Sequence, residues 1–179
     1  MGLHFVWRKP LAKIFSFWWN VHSKRLANSL LPLIHGGATV LDIGAGSGVI
    51  AKELSLRADV TLLDVIDWNI TGLPLILFDG VHFPFDNKKF DVGLLVDVLH
   101  HVEQEDTLIQ EAMRVCHKVL VVEEVHEHKL MNILENVKDN FQYLLYGMSI
   151  GVHHRTQDQW ASFLKNFCSS VQCKKGDSS

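Results

Sequence analysis

Three glycines at alternating positions, Gly44, Gly46 and Gly48, stand between a short apolar run and a helix-forming stretch. Glycines so spaced permit a tight turn and let a ligand lie against the backbone, and a helix that starts there offers N–H groups to a carboxylate or phosphate. Acids gather about the same feature. Asp42 precedes the turn, and Asp64, Asp79 and Asp97 each close a later apolar run. A carboxylate at the tip of a strand accepts hydrogen bonds from ligand hydroxyls or amines, and open α/β sheets collect their ligands at those tips. His100 and His101 add a group that titrates near neutral pH and suits proton acceptance. Adjacent residues do not face one another on a helix or loop, so one of the pair at most is expected to point at a substrate. Plainer roles compete: Asp42 bonding the turn backbone, Asp79 capping a turn at Gly80, Asp97 capping the next helix.

The elements that must position these residues alternate. Val40, Leu41 and Ile43 in TVLDIGAG suit a buried strand, and VIAKELSLR after Gly48 suits a helix. VTLLD to Asp64, LILFD to Asp79 and DVGLLVD to Asp97 are short, β-rich runs, and KVLVVEE, Lys118 to Glu124, is a fifth strand. A helix with Thr107, Leu108, Ile109, Ala112 and Met113 on one face separates the last two. Such alternation calls for a mostly parallel sheet with helices on both faces, the Rossmann-like α/β class. Residues 11–34 carry Leu11, Ile14, Phe15, Trp18, Trp19, Leu26, Leu30 and Leu31 at helical spacing, predicting one or two helices broken near Pro32. Residues Lys129 to Tyr146 and Gln157 to Phe167 read as further helices.

Composition narrows the classes. A chain of 179 residues with 47% hydrophobic content has room for one domain with a substantial core. Cys116, Cys168 and Cys173 form no CxxC pair, which argues against a disulfide framework and for a reducing, cytoplasmic setting. Residues 1–41 carry Arg8, Lys9, Lys13, Lys24 and Arg25 with no acid, whereas the remainder is net acidic. No apolar run reaches the roughly 20 residues that cross a bilayer. Ile14 to Val21 is short and lacks a cleavage site, so no secretory signal is expected. His126, His128, His153 and His154 have no metal-ligand spacing, and no metal site is expected. A second basic patch is missing as well, which disfavours nucleic acid as a partner.

The dinucleotide fingerprint is GxGxxG, and the third glycine here is off that register. VLDIGAGSG, with Asp42 before its glycines, instead resembles motif I of class I S-adenosylmethionine-dependent methyltransferases. Asp64 follows Asp42 by 22 residues, where that family places an acid for both ribose hydroxyls. The run DGVHFPFDNKKFDVGLLVDVLHHV, with Pro84-Phe85, Phe90-Asp91 and Leu99-His100-His101, is similar to the ubiquinone and menaquinone methyltransferase subgroup. The resemblance covers roughly residues 38–125. It implies that Asp42 and the backbone of Gly44, Ala45, Gly46 and Gly48 hold the methionyl part of S-adenosylmethionine. Asp64, with Asp67 as competitor, would accept from the ribose, and Asp79 beside Gly80 from the adenine amino group. Val65 or Trp68 would form the adenine wall, Phe83 or Phe85 would flank the ring, and Asp97 and Val98 would close the site.

The same resemblance implies an N-terminal helical lid, residues 1–37, ahead of a methyltransferase domain at 38–179. Trp18, Trp19 and His22 would line a substrate pocket, and the basic aromatic segment also suits peripheral contact with a membrane. The expected activity is methyl transfer to a small, apolar or aromatic, even lipid-like acceptor. The alternative is an inactive module of the same fold that binds cofactor or a partner chain. Two stretches depart from the family. Only ten residues, VIDWNITGLP, join the second and third strands, so the link must be a tight loop, as in a subset of the family reading LDVID. After Trp160 only SSVQCKKGDSS follows the last helix, so the antiparallel C-terminal part is shortened and one strand near Val171 is expected.

Overall fold

A computed structural model describes residues 23–123, 125 and 155–168. These divide into two compact units. The first runs to Val98 and resumes over Asp106–Val122; the second comprises Leu99–Glu105 and the residues from Glu123 onward.

In the first unit, five strands form one sheet. They are β1 (Thr39–Ile43), β2 (Asp59–Asp64), β3 (Leu75–Leu77), β4 (Phe90–Val96) and β5 (Cys116–Val122), in the order β3-β2-β1-β4-β5. Every pairing is parallel. β1 and β4 take adjacent places inside the sheet and are buried on both faces. Because side chains alternate, Val40, Val60, Leu62, Val92 and Leu94 share one face. That face packs with Ala27, Leu30 and Ile34, and with Ala51 and Leu54 of α2 (Val49–Leu54). Leu41, Ile43, Leu63 and Leu95 point the other way and are equally buried. Leu108, Ile109, Ala112 and Val115, the apolar stripe of α3 (Glu105–Val115), are buried too.

Boundaries differ from the sequence reading where polar atoms find partners. The predicted third strand reached Asp79, but β3 ends at Leu77 because Asp79 folds over the next two peptides. β5 begins at Cys116, earlier than Lys118, paired with Phe90. α1 covers residues 23–30, and Pro32 follows inside a 3₁₀ turn, Leu31–Leu33, where its missing N–H costs nothing. Leu11 to Trp19, His22, the helix expected over Lys129 to Tyr146 and the strand near Val171 lie outside the described residues.

The ten-residue link between β2 and β3 is a loop, as its length predicted. Asn69 substitutes side-chain bonds for helical ones: its Oδ1 accepts from the Thr71 N–H (2.8 Å) and hydroxyl (2.7 Å), and its Nδ2 donates to the Leu73 carbonyl (2.7 Å). The Ile70 N–H donates to the Ser47 carbonyl at 3.1 Å, fastening this loop to the glycine turn.

The second unit contains the 3₁₀ turn Leu99–His101 and α4 (Gln157–Leu164). A reciprocal Thr156–Gln159 capping box starts α4. Arg155 grips Glu105 through both guanidinium nitrogens and lies over the rings of Trp160 and Phe163. No helix among the described residues is long and apolar enough to cross a membrane.

Candidate cofactor-binding site

The order of the sheet reverses at β1. The chain steps from β1 to β2 and β3 on one side, then returns to lay β4 and β5 on the other. Ligands of open α/β sheets gather at the carboxyl ends of the strands beside such a reversal. The glycine turn leaves β1, and Asp97-Val98 leaves β4.

Gly44, Gly46 and Gly48 all have positive φ, +71°, +53° and +75°. The turn bends over the end of β2, where the Leu63 carbonyl accepts from the N–H groups of Gly44 (2.8 Å) and Ala45 (3.3 Å). The three glycines serve different purposes. A Cβ on Gly44 would lie 2.6 Å from a Val98 methyl, and one on Gly48 would lie 2.7 Å from a Leu62 methyl. These two make room for the protein itself, joining the β1 and β4 loops and seating α2. A Cβ on Gly46 would meet nothing within 4 Å. Of the three, Gly46 alone keeps an open side toward which a ligand could approach.

Asp64 is nearly buried and its carboxylate clasps this turn. Oδ2 accepts from the Gly46 N–H at 2.8 Å and Oδ1 from the Ile66 N–H at 3.1 Å. Asp42 and Asp64 fall on one face of adjacent strands. Burial, and secondarily the charge of Asp64, pushes the Asp42 carboxyl up to about 7. Asp64 is also raised by burial, against the lowering influence of its backbone donors. Near neutrality the Asp42 carboxyl is thus in the range where it gains or loses its proton. Asp67, the competitor for a ribose role, accepts from the Asn69 N–H at 3.2 Å and helps to shape the link loop.

Asp79 stands free of the sheet. Its Oδ1 accepts from the N–H groups of Val81 (2.8 Å) and His82 (2.7 Å), which holds the carboxyl below its usual range while the side chain stays 60% exposed. Gly80 follows with φ +88°, and the half-exposed Val65 lies 3.5 Å from where its Cβ would be. Asp97 has φ +52°, uncommon for a residue with a side chain, and its N–H donates to the Val122 carbonyl. Its αL backbone turns the chain away from β4 toward Val98.

The aromatic expectations divide. Trp68 and Phe83 are buried, and Phe83 meets Phe78 edge to face at 5.2 Å. Phe85 packs against Phe90, 4.9 Å between centroids, with the Lys89 ammonium above it. Phe90 opens β4, whereas the glycine turn lies beyond the other end of the sheet. The expectation that Phe85 flanks a ligand ring is therefore corrected: the chain after Pro84 has already run back to the amino edge.

His100 and His101 belong to the second unit. His100 is buried and bonds through Nδ1 to Glu123, whose other oxygen accepts from the Leu99 N–H at 2.7 Å. The two rings lie 4.0 Å apart and tilted by 43°, so these neighbours do touch, contrary to the expectation from regular geometry. The sequence reading missed Glu123, one of two glutamates closing the fifth apolar run. It also missed Glu111 and Arg114, for which an i, i+3 charge pair was the available signal. Among the described residues no group of His, Cys, Asp and Glu is placed to hold a metal ion.

An open side at Gly46, an exposed apolar Val65 and an exposed Asp79 carboxylate fit a ligand with a flat apolar ring, a polar ring edge and a chain to lie on backbone. Residues 41–119 match the family described as methyltransferase domain. The tRNA (carboxymethyluridine(34)-5-O)-methyltransferase of Schizosaccharomyces pombe is 28% identical over 100 residues, 54% of this chain. That stretch spans only 42% of the yeast protein's length. Among solved structures, the Haloferax volcanii complex of the Trm112 methyltransferase activator with a methyltransferase matches with TM-score 0.66 and 17% identity, covering 93% of this chain and 76% of the other. A methyltransferase of Thermotoga maritima matches with TM-score 0.65 and 16% identity, covering 90% and 80%. With the glycine turn at the switch point of a parallel sheet, and the family match falling on those same strands, the chain has the fold of the S-adenosylmethionine-dependent methyltransferases and is similar to their methyltransferase domain over residues 41–119.

Proposed function

We propose that this chain binds S-adenosylmethionine at the carboxyl ends of β1, β2 and β3 and transfers its methyl group to an acceptor. The observation that carries this reading is the Gly46 turn, held by Asp64 and with an open side at Gly46. In this reading the Gly44–Gly48 backbone supports the amino acid end. Asp64 serves the ribose from the oxygen it shares with Ile66, Val65 packs on the adenine, and Asp79 accepts from its amino group. Asp42, Ala45, Gly80, Asp97 and Val98 complete the wall. The sulfonium supplies an activated methyl, and the protein's contribution is chiefly alignment. Where the acceptor must shed a proton, His100 and His101 are the candidate bases, because an imidazole titrates near neutral pH.

Two acceptor classes compete. The sequence reading favours a small apolar or aromatic molecule and disfavours nucleic acid. The yeast relative is named for a modified uridine of tRNA, which favours an RNA acceptor, and we adopt that as the leading reading. The solved complex with an activator likewise favours a protein partner for this chain. Tritiated methyl transfer from S-adenosylmethionine should be measured on total tRNA and on a panel of quinones, phenols and lipids, with and without an activator protein. Label in tRNA supports the leading reading, and label in a small acceptor restores the other. Cofactor binding without turnover on any acceptor would favour the inactive module.

A further inference from the structure

The loop that carries Asp79 is anchored chiefly by side chains of α3. After β3 ends at Leu77, residues 79–88 return to the start of β4, and the bonds that fix them come from one turn of α3. Phe83 is gripped at both ends of its peptide: its N–H donates to Glu111 Oε2 at 2.8 Å, and its carbonyl accepts from Arg114 Nη2 at 3.0 Å. Arg114 Nη1 donates to the Phe85 carbonyl (2.8 Å) and to Asn87 Oδ1 (3.0 Å). The two side chains are themselves paired through two bonds, Nε to Oε1 and Nη2 to Oε2, each 2.7 Å. Lys88, at φ +55°, closes the loop by donating from Nζ to the Met113 carbonyl in the last turn of α3 and to the Cys116 carbonyl at the start of β5. The His82 N–H bonds Asp79 and the very next N–H bonds Glu111. Any shift of the Phe83 peptide must therefore move the cap that orients Asp79.

We infer that the Glu111–Arg114 pair is a positioning device that sets the Asp79 carboxylate for recognition of the amino edge of the cofactor's purine. This inference rests on the reading of Asp79 proposed above. Neither side chain touches the ligand in this account. Their planar, two-bonded pairing fixes the angle of a loop that would otherwise hinge at Gly80, and a guanidinium suits this better than an ammonium because it reaches two carbonyls and a carboxylate at once. A merely structural role would lower stability and leave ligand selectivity intact, so selectivity is the informative readout.

The test compares S-adenosylhomocysteine with S-inosylhomocysteine, which replaces the ring amino group by an oxygen. Binding is measured by calorimetry for wild type, Asp79→Asn, Glu111→Gln and Arg114→Lys, with melting temperatures recorded for each. Wild type should prefer the adenosyl ligand by about tenfold or more, one charge-assisted hydrogen bond's worth. Glu111→Gln should weaken adenosyl binding by about tenfold while barely changing inosyl binding, so that the preference falls to about twofold. Arg114→Lys should fall between. If Glu111→Gln folds poorly, the Arg114→Lys ratio at temperatures well below its melting point decides the matter. Retained preference in both variants overturns the positioning role while leaving cofactor binding in place. Wild type that prefers the adenosyl ligand while Asp79→Asn keeps that preference overturns the Asp79 reading and this inference with it. No binding of S-adenosylhomocysteine to wild type overturns the proposed function as a whole.

Discussion

Asp42 and Asp64 are buried carboxyls on one face of adjacent strands, and Asp64 clasps the glycine turn. The raised Asp42 carboxyl means that the folded chain retains a proton which the unfolded chain releases near pH 3.8. The stabilisation is fully present below that pH and is lost as pH rises through about 7, to a total on the order of a few kcal/mol. Asp42→Asn, neutral throughout, should therefore flatten the decline, and urea melts at pH 5 and pH 8 should show its advantage larger at the higher value. Asp64→Ala removes both the clasp on Gly46 and an ionised acceptor. It should weaken S-adenosylhomocysteine binding by about 1 to 3 kcal/mol in calorimetry. Unchanged affinity would shift the ribose role to Asp67. That Asp64 would sit beside the turn was legible from its spacing; that its own oxygens bond the turn's N–H was not, since hydrogen-bond partners 18 residues apart depend on how strands align.

The glycine turn is an element whose apparent motif conceals two kinds of glycine. Gly48 caps α2 at positive φ with Leu62, Asn69 and Thr71 pressed close, so its replacement must both strain the backbone and displace neighbours. Gly48→Ala is expected to lower stability by about 2 kcal/mol. Gly36→Ala, where nothing stands within 4 Å and φ is not positive, should change it by less than about 0.5 kcal/mol. Chemical denaturation of both variants checks the contrast. The strands themselves were readable as apolar runs, and the short link after β2 followed from its length. Strand ends were less readable, because Asp79 and the Phe90–Cys116 pairing set them through bonds that no local pattern encodes.

For the molecule as a whole, cofactor binding and folding are linked. A ligand that binds only the folded state raises stability by RT ln(1 + [L]/Kd), about 2.7 kcal/mol at a hundredfold excess over Kd. S-adenosylhomocysteine should accordingly raise the melting temperature in proportion to the logarithm of its concentration, and NAD at equal concentration should leave it unchanged. A shift with NAD instead would reopen the oxidoreductase reading that the glycine spacing disfavours. The sequence by itself determined the class of fold, through apolar runs alternating with helical stripes, and singled out a candidate site in Gly44, Gly46, Gly48 and the acids that close the runs. Those signals are local or periodic, so a linear reading captures them. Only the tertiary structure decided that β1 is the switch point, that Phe85 lies at the amino edge, that His100 is held by Glu123, and that Glu111 and Arg114 of α3 hold the loop bearing Asp79. Each of these depends on which distant segments are brought within hydrogen-bonding or packing distance, and that is fixed by the burial of whole faces rather than by any neighbouring residue.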